Sequence, residues 1–205
     1  MSTQRMPAEQ RKRSLLKAAE RCVARKGYYS ATTADIAAEA GVTEPVLYQH
    51  FRDKEDLIEC MRATTQKEIN VYVTRRAFKQ PSPLRGLREL AAAVLDYTIR
   101  HRNKMRSQIY AIPNLGSGGL REILNENIKT AHRAILFFLQ EARRLGEIGN
   151  GVDISAFAWS FQSMIRLVYV ANAMDIDAIL KNRDKYMDII DRLLATVSTS
   201  RDEED

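Results

Sequence analysis

The chain has 205 residues, of which 45% are hydrophobic and 28% are charged, a balance that is ordinary for a globular protein. Its nine glycines and five prolines are few for this length, which favours helices over turn-rich sheets. No apolar run reaches the roughly 18 residues that a membrane span needs, and residues 1–9 lack the hydrophobic core of a signal peptide. We therefore expect a cytoplasmic protein without membrane contact.

The net charge of +6 is unevenly distributed along the chain. Residues 61–110 contain eleven basic and three acidic side chains, a pattern typical of a solvated helix face or of a surface that attracts phosphates. The two cysteines, Cys22 and Cys60, form no Cys-x-x-Cys pair and have no histidine pair nearby. We expect no disulfide, metal or cofactor.

Two short helices follow a longer one near the start of the chain. Apolar residues at three- and four-residue spacing predict a first helix that ends at Gly27. Thr32 or Thr33 can cap a second, two-turn helix that ends at Gly41, and a third helix is predicted over about 44–51. Two short helices joined by a glycine-containing turn are the architecture that places a helix in the major groove of DNA.

The remaining sequence predicts further helices. Asp53 caps a fourth helix that runs to about Phe78, and helical periodicity continues beyond the break at residues 80–83 to a last helix over about 183–199. No strand pattern competes with this interpretation. We predict an all-α protein of about nine helices.

Domain boundaries follow from the same pattern. Residues 1–54 are predicted to form an N-terminal arm and a helix-turn-helix domain, and residues 55–199 a larger helical domain. The acidic residues 200–205 are predicted to be a disordered tail.

A dense motif over about residues 10–60 resembles the signature of the TetR family of transcriptional regulators. Its segments are Thr32-Thr33-Ala34-Asp35-Ile36-Ala37, Ala40-Gly41-Val42, Leu47-Tyr48-Gln49-His50-Phe51 and Lys54-Glu55-Asp56-Leu57. Beyond residue 60 the resemblance is limited to length and helical layout. It implies a homodimer in which each subunit has three DNA-binding helices and a larger domain that binds an effector and dimerises.

The resemblance also implies roles for individual residues toward double-stranded operator DNA. Thr33, Tyr48 and Lys54 would hold backbone phosphates. The surface on or near the major groove would comprise Thr43, Glu44, Pro45, Val46, Gln49 and His50.

This recognition helix departs from a common pattern because it contains no arginine or lysine. Guanine is most often read by those two residue types, so base contacts would depend on Gln49 or His50 and on thymine-methyl contact from Val46. Glu44 could accept from a cytosine amino group, or it could simply favour the start of the helix through the helix dipole. We therefore predict no base sequence.

Aromatic and polar residues of the larger domain are candidates for an effector pocket, because apolar ligands are held in largely apolar pockets between helices. We expect a small hydrophobic or aromatic effector, although plain core packing explains each residue singly. The candidates are Tyr72, Tyr97, Met105, Tyr110, His132, Phe138, Trp159 and Arg166.

We expect a dimer, because a second recognition helix about one DNA turn away (roughly 34 Å) is the usual way in which a short helix gains affinity. The last two long helices are candidates for a four-helix dimer interface. The alternative is packing within one subunit. The candidate residues are Phe161, Tyr169, Ile189, Ile190 and Leu193.

Three functions stay open on the sequence. The first is a homodimeric repressor that a ligand releases from its operator; activation by the same architecture is an alternative. The second is an all-α enzyme, which the dispersed histidines His50, His101 and His132 do not favour. The third is a sequence-tolerant DNA-binding protein without effector control.

Overall fold

The computed structural model describes residues 7–110 and 118–199, apart from the side chains of residues 110, 118–121, 123 and 124. Ten helices and no strand lie within these ranges, which confirms the predicted all-α class. The helices are α1 (Ala8–Ser30), α2 (Thr33–Glu39), α3 (Glu44–Tyr48), α4 (Lys54–Ala77), α5 (Pro83–Arg100), α6 (Arg102–Tyr110), α7 (Gly118–Arg144), α8 (Ile154–Ala173), α9 (Asp177–Leu180) and α10 (Arg183–Ala195).

None of the described helices is both long and apolar enough to cross a membrane. The predicted acidic tail, residues 200–205, lies outside the described residues. The four-residue helix α9 was not predicted, because a single turn is too short to show helical periodicity.

The chain divides into two compact units. The first is Met1–Gln66 with Asn103–Ile123, and the second is Lys67–Arg102 with Leu124–Asp205. This division falls inside α4 rather than at its first residue. The predicted boundary between residues 54 and 55 stays a prediction.

The first unit has its own apolar core, built from the first four helices. Leu15, Ile36, Leu47 and Leu57 come from α1, α2, α3 and α4 respectively, and all four are fully buried in one cluster. Burying a leucine or isoleucine side chain stabilises a fold by about 1.5–3 kcal/mol. The positions of α2 and α3 are therefore fixed by packing rather than by helix propensity alone.

The ends of α2 are defined by local hydrogen bonds. Thr32 Oγ1 accepts from the backbone N–H of Asp35, and Asp35 Oδ2 accepts from the backbone N–H of Thr32, both at 3.1 Å. At the other end Gly41 has a φ of 67°, and the N–H of Val42 donates to the Ala37 carbonyl at 3.0 Å. Thr32 is thus the cap, which leaves the hydroxyl of Thr33 available for other partners.

The sequence predicts that the first helix ends at Gly27, whereas in the structure Gly27 interrupts α1 without ending it. Its φ of 78° and ψ of 168° are not helical, and one further turn follows before the helix ends at Ser30. A left-handed φ is accessible to glycine at little cost.

In the second unit, α8 and α10 pack on α5. Leu87, Ala91 and Leu95 of α5 are fully buried. Arg88 of α5 forms a two-pronged ion pair with Asp191 of α10, with N–O distances of 2.6 and 2.9 Å. Packing and this ion pair together hold α10 against α5.

Candidate nucleic-acid interface

Helices α2 and α3 are held on α1 by the core and by surface ion pairs. Glu39 at the end of α2 accepts from Arg21 at 2.7 Å and from Arg25 at 3.1 Å. These contacts, Arg21 first, lower the pKa of Glu39, so its carboxylate is charged near neutral pH. The ion pairs are exposed, so they orient α2 more than they stabilise the unit.

Lys26 pairs with Asp35 at 2.8 Å in the first turn of α2. This contact, together with the hydrogen bonds from Thr32, lowers the pKa of Asp35 to about 2. The Asp35 carboxylate therefore stays ionised over the whole physiological range, and its capping of α2 persists there.

One side of α3 faces solvent. Leu47 is buried in the core, whereas Tyr48 is 49% exposed and Gln49 at the end of the helix is exposed as well. The predicted groove-facing residues are all at least partly accessible. Thr43, Pro45 and Gln49 are exposed, and Glu44, Val46 and His50 are half-buried.

Three of the predicted DNA-binding residues form one cluster at the junction of α2 and α3. The hydroxyl of Thr33 donates to the carboxylate of Glu44. The same Oγ1 lies 3.3 Å from the hydroxyl oxygen of Tyr48. Two hydroxyls are therefore held side by side next to one negative charge, and the single proton of the Thr33 hydroxyl is donated to that carboxylate.

Lys54 has intramolecular partners at the start of α4. Its Nζ donates to the Tyr28 backbone carbonyl at 2.5 Å and lies 4.5 Å from the centroid of the Tyr28 ring. Partial burial lowers the pKa of this ammonium. Lys54 therefore satisfies a carbonyl at the end of α1, a structural role that the sequence motif did not indicate, and its phosphate contact stays a prediction.

The predicted effector residues occupy different parts of the structure. Tyr72 and Tyr97 pack with ring centroids 5.3 Å apart and line a common groove in the second unit. Met105 is buried in the first unit. The side chain of Tyr110 lies outside the described residues.

The other effector candidates do not line that groove. His132 stacks on Trp159 with ring centroids 4.0 Å apart, and Trp159 is 51% exposed. Phe138 is buried, with its ring centroid 4.9 Å from that of Phe78. Arg166 is half-buried, and burial lowers its pKa. Sequence reasoning missed that Tyr72 and Tyr97 share their groove with His101 and with basic residues of α4.

The predicted dimer residues also differ in accessibility. Ile189 is 47% exposed, and Tyr169 and Leu193 are half-buried. Phe161 and Ile190 are fully buried within the subunit, where they pack in its own core. Any interface on α8 and α10 would therefore be formed by their exposed neighbours.

The geometry of the first unit indicates the class of protein. A short helix packed on a supporting helix, a tight turn through Gly41 and an accessible second helix characterise helix-turn-helix proteins.

Comparison with known proteins shows which regulators within this class the chain is similar to. A family model described as "Bacterial regulatory proteins, tetR family" matches residues 15–61. The activator FasR of Mycolicibacterium smegmatis is 35% identical over 96 residues, 45% of this chain and 42% of that protein. The repressor BepR of Brucella suis is 33% identical over 92 residues, 43% of each chain. This chain thus matches less than half the length of either relative.

Similarity to a solved structure extends over nearly the whole chain. SmeT, the repressor of a multidrug efflux pump of Stenotrophomonas maltophilia, has a TM-score of 0.74 and 20% identity, with 93% of this chain and 91% of that chain covered. At this identity the likeness concerns the fold. The N-terminal segment of this chain is therefore similar to that of TetR-family regulators over residues 15–61, and its fold is similar to that of a solved repressor.

Proposed function

We propose that the chain is a cytoplasmic transcriptional regulator that binds operator DNA through α3. The observation that carries the proposal is the cluster of Thr33 and Tyr48, whose hydroxyl oxygens lie 3.3 Å apart beside the accessible side of α3. Hydroxyls at helix ends are common phosphate ligands, and phosphate contacts fix the register of a helix in the groove. Gln49 would then reach base edges, since its amide can pair with adenine.

We further propose that the protein acts as a homodimer through α8 and α10. Trp159 and Val170 of α8 and Ile189 of α10 are large apolar residues that are substantially exposed in the single subunit. Pairing these helices with their symmetry mates would remove this surface from water. Sedimentation equilibrium is expected to give a dimer for the native chain and a monomer for Ile189→Glu.

A matched control for that experiment is Ile99→Glu. Ile99 is an exposed isoleucine on α5, so the same change of charge is made away from the proposed interface. We expect Ile99→Glu to stay dimeric. A dimeric Ile189→Glu protein would contradict the proposed interface.

The regulator is proposed to be a repressor that a small, largely apolar effector releases. Repression needs only that the protein occupies its operator, whereas activation also needs a productive contact with the transcription machinery. The effector would favour a conformation in which two recognition helices no longer match adjacent grooves. The names of BepR and SmeT, which are repressors, support this choice, and FasR shows that relatives include an activator.

Fluorescence anisotropy tests the DNA-binding proposal. The full chain is titrated against the DNA upstream of its own gene and against a shuffled duplex of equal composition, at physiological salt. We expect a specific affinity at least about a thousandfold above the non-specific one. Equal and weak binding to both duplexes would favour the sequence-tolerant alternative at that locus. A second arm adds candidate hydrophobic compounds to the complex and measures release.

A further inference from the structure

A solvent-accessible groove runs along α4 and α5 within the second unit. Its volume is about 680 Å³, which lies in the range of about 300–1,000 Å³ that is typical of small-molecule sites. The residues that matter for its chemistry are Lys67, Tyr72, Arg75, Lys79, Tyr97 and His101.

One wall of the groove is aromatic. The rings of Tyr72 and Tyr97 have centroids 5.3 Å apart, and the rings of Tyr97 and His101 have centroids 4.4 Å apart. Tyr97 is 6% exposed and contributes little accessible surface, whereas Tyr72 is half-buried and His101, the C-cap of α5, is exposed. A planar or extended apolar body can lie on this wall. This wall accounts for the body of a ligand but not for its charge.

The positive charge of the groove comes from α4 and from the turn that follows it. Lys67 and Arg75 of α4 and Lys79 of the turn are exposed, and all three line the groove. Within the described part of the chain, none of the three has an acidic side chain at ion-pair distance. Glu68 is the one acidic residue among the described residues that line the groove.

Arg76 provides an internal comparison. It lies in the same groove, but its guanidinium is paired with Asp96 at 2.9 Å and also with Glu89, and it donates to the Tyr72 hydroxyl at 2.8 Å. Its charge is therefore compensated by the fold. Lys67, Arg75 and Lys79 are not compensated in this way by an acidic side chain of the described residues, so an anion placed there gains attraction without displacing such a partner.

We propose that this groove binds an apolar-bodied anion, such as an aromatic or long-chain carboxylate or sulfonate. The body lies on Tyr72, Tyr97 and His101, and the anionic group lies between Arg75 and Lys79. Arginine suits this task because its planar fork can donate two parallel hydrogen bonds to a carboxylate or sulfonate. The identification of this anion as the effector rests on the proposed function. The binding of the anion in the groove does not depend on that function.

Two fluorescent probes with the same ring system distinguish the contribution of the apolar body to binding from that of the anionic group. They are 8-anilinonaphthalene-1-sulfonate, which carries a sulfonate, and N-phenyl-1-naphthylamine, which lacks it. Each is titrated into the full chain without DNA. We expect saturable binding of the sulfonate probe with about one site per chain, because the proposal places one site in each second unit.

The decisive variant is Arg75→Gln/Lys79→Gln, with Arg85→Gln/Lys185→Gln as its control. The control pair consists of one exposed arginine and one exposed lysine of the second unit that do not line the groove. The loss of charge-assisted contacts should weaken binding of the sulfonate probe at least about tenfold in the first variant and less than about twofold in the control. The neutral probe should bind both variants as it binds the native chain. Circular dichroism verifies that both variants are folded.

Equal affinity of the sulfonate probe for the two variants would overturn the proposal, as would equal weakening of both probes by Arg75→Gln/Lys79→Gln. These measurements contain no DNA. A chain that binds no DNA in the anisotropy experiment would end the proposed regulatory function without affecting the result for the groove.

Discussion

The hydroxyl of Thr33 donates its hydrogen bond to the carboxylate of Glu44, which is the first residue of α3. Tyr48, the other predicted phosphate ligand of this region, lies 3.3 Å from the same hydroxyl. A phosphate that approached these two hydroxyls would meet a negative charge already hydrogen-bonded to one of them. In the DNA-bound state Thr33 would have to exchange a carboxylate acceptor for a phosphate acceptor.

Glu44→Gln is therefore expected to raise the affinity for DNA. It removes the repulsion between the carboxylate and the phosphate backbone. At low salt we expect about three- to tenfold tighter binding to the native and to the shuffled duplex alike. The gain in affinity should be smaller at high salt, because ions screen the charge. Anisotropy at several salt concentrations measures the effect.

Glu59→Gln is the control, because it makes the same charge change on α4 of the same unit. If Glu44 instead accepts from a cytosine amino group, Glu44→Gln weakens binding to the native duplex and leaves the shuffled duplex unchanged. That pattern would contradict the repulsion account.

Tyr48 and Gln49 are adjacent and both exposed, but they should affect binding differently. Tyr48→Phe removes one hydroxyl and with it a hydrogen bond of about 0.5–1.5 kcal/mol. Binding to the native and to the shuffled duplex should weaken equally, since phosphates carry no sequence information. Gln49→Ala should weaken binding to the native duplex alone, because base edges differ between sequences. A sequence-dependent loss for Tyr48→Phe would contradict its phosphate role. Neither variant should change the melting temperature appreciably.

Much of the helix-turn-helix was predictable because its signals are local. The cap by Asp53, which accepts from the Asp56 N–H at 2.8 Å, and the left-handed Gly41 both follow from residue type and spacing. The choice between Thr32 and Thr33 as cap was not predictable, because both have the required hydroxyl. It depends on a tertiary contact, since Thr33 is held by Glu44 across the turn.

The larger domain was less predictable at the level of individual residues. Phe161 and Ile190 were candidates for the dimer interface but are buried within the subunit, because helical periodicity does not distinguish a subunit core from a subunit interface. The groove likewise depends on which helix packs against which. Tyr72 on α4 and Tyr97 on α5 are 25 positions apart in the sequence, and no spacing rule indicates that their rings meet.

Gly86 is predicted to be required for packing of the second unit. A Cβ atom at this position would lie 2.4 Å from a ring carbon of Phe138, whose side chain is itself buried. Gly86→Ala should therefore destabilise the protein by about 1–3 kcal/mol, although glycine to alanine in an open helix usually stabilises by about 1 kcal/mol. Gly149→Ala, where no atom lies within 4 Å of the new Cβ, is the control and should be close to neutral. Urea unfolding gives both values, and a stabilised Gly86→Ala would contradict this packing.

Arg62 is predicted to reduce stability in the first unit. It is 2% exposed, it donates to the Gln108 backbone carbonyl, and its Nε has no hydrogen-bond partner among the described residues. Burial lowers its pKa to about 10, so the charged form is disfavoured in the folded state. Because the pKa of Arg62 is lower in the folded chain than in the unfolded chain, its charge destabilises the folded state at pH values below about 10. This destabilisation decreases as the pH rises from there toward the pKa of the unfolded chain.

Arg62→Met keeps a long side chain and removes the charge. We expect it to raise the free energy of unfolding at neutral pH by about 1–3 kcal/mol, after allowance for the Gln108 carbonyl that loses its donor. The difference from the native chain should narrow above about pH 10, because deprotonation relieves the same penalty. A loss of stability in Arg62→Met at neutral pH would show that the buried charge is compensated.

The most direct test of sequence-specific DNA binding is selection of duplexes from a random library by the full chain. The account predicts an enriched inverted repeat whose half-sites are centred about one helical turn apart, or a multiple of it, as expected for two symmetry-related recognition helices. It also predicts that Gln49→Ala relaxes the preference at one position of each half-site. A selected pool with the base composition of the input library, after repeated rounds of binding, would contradict the account.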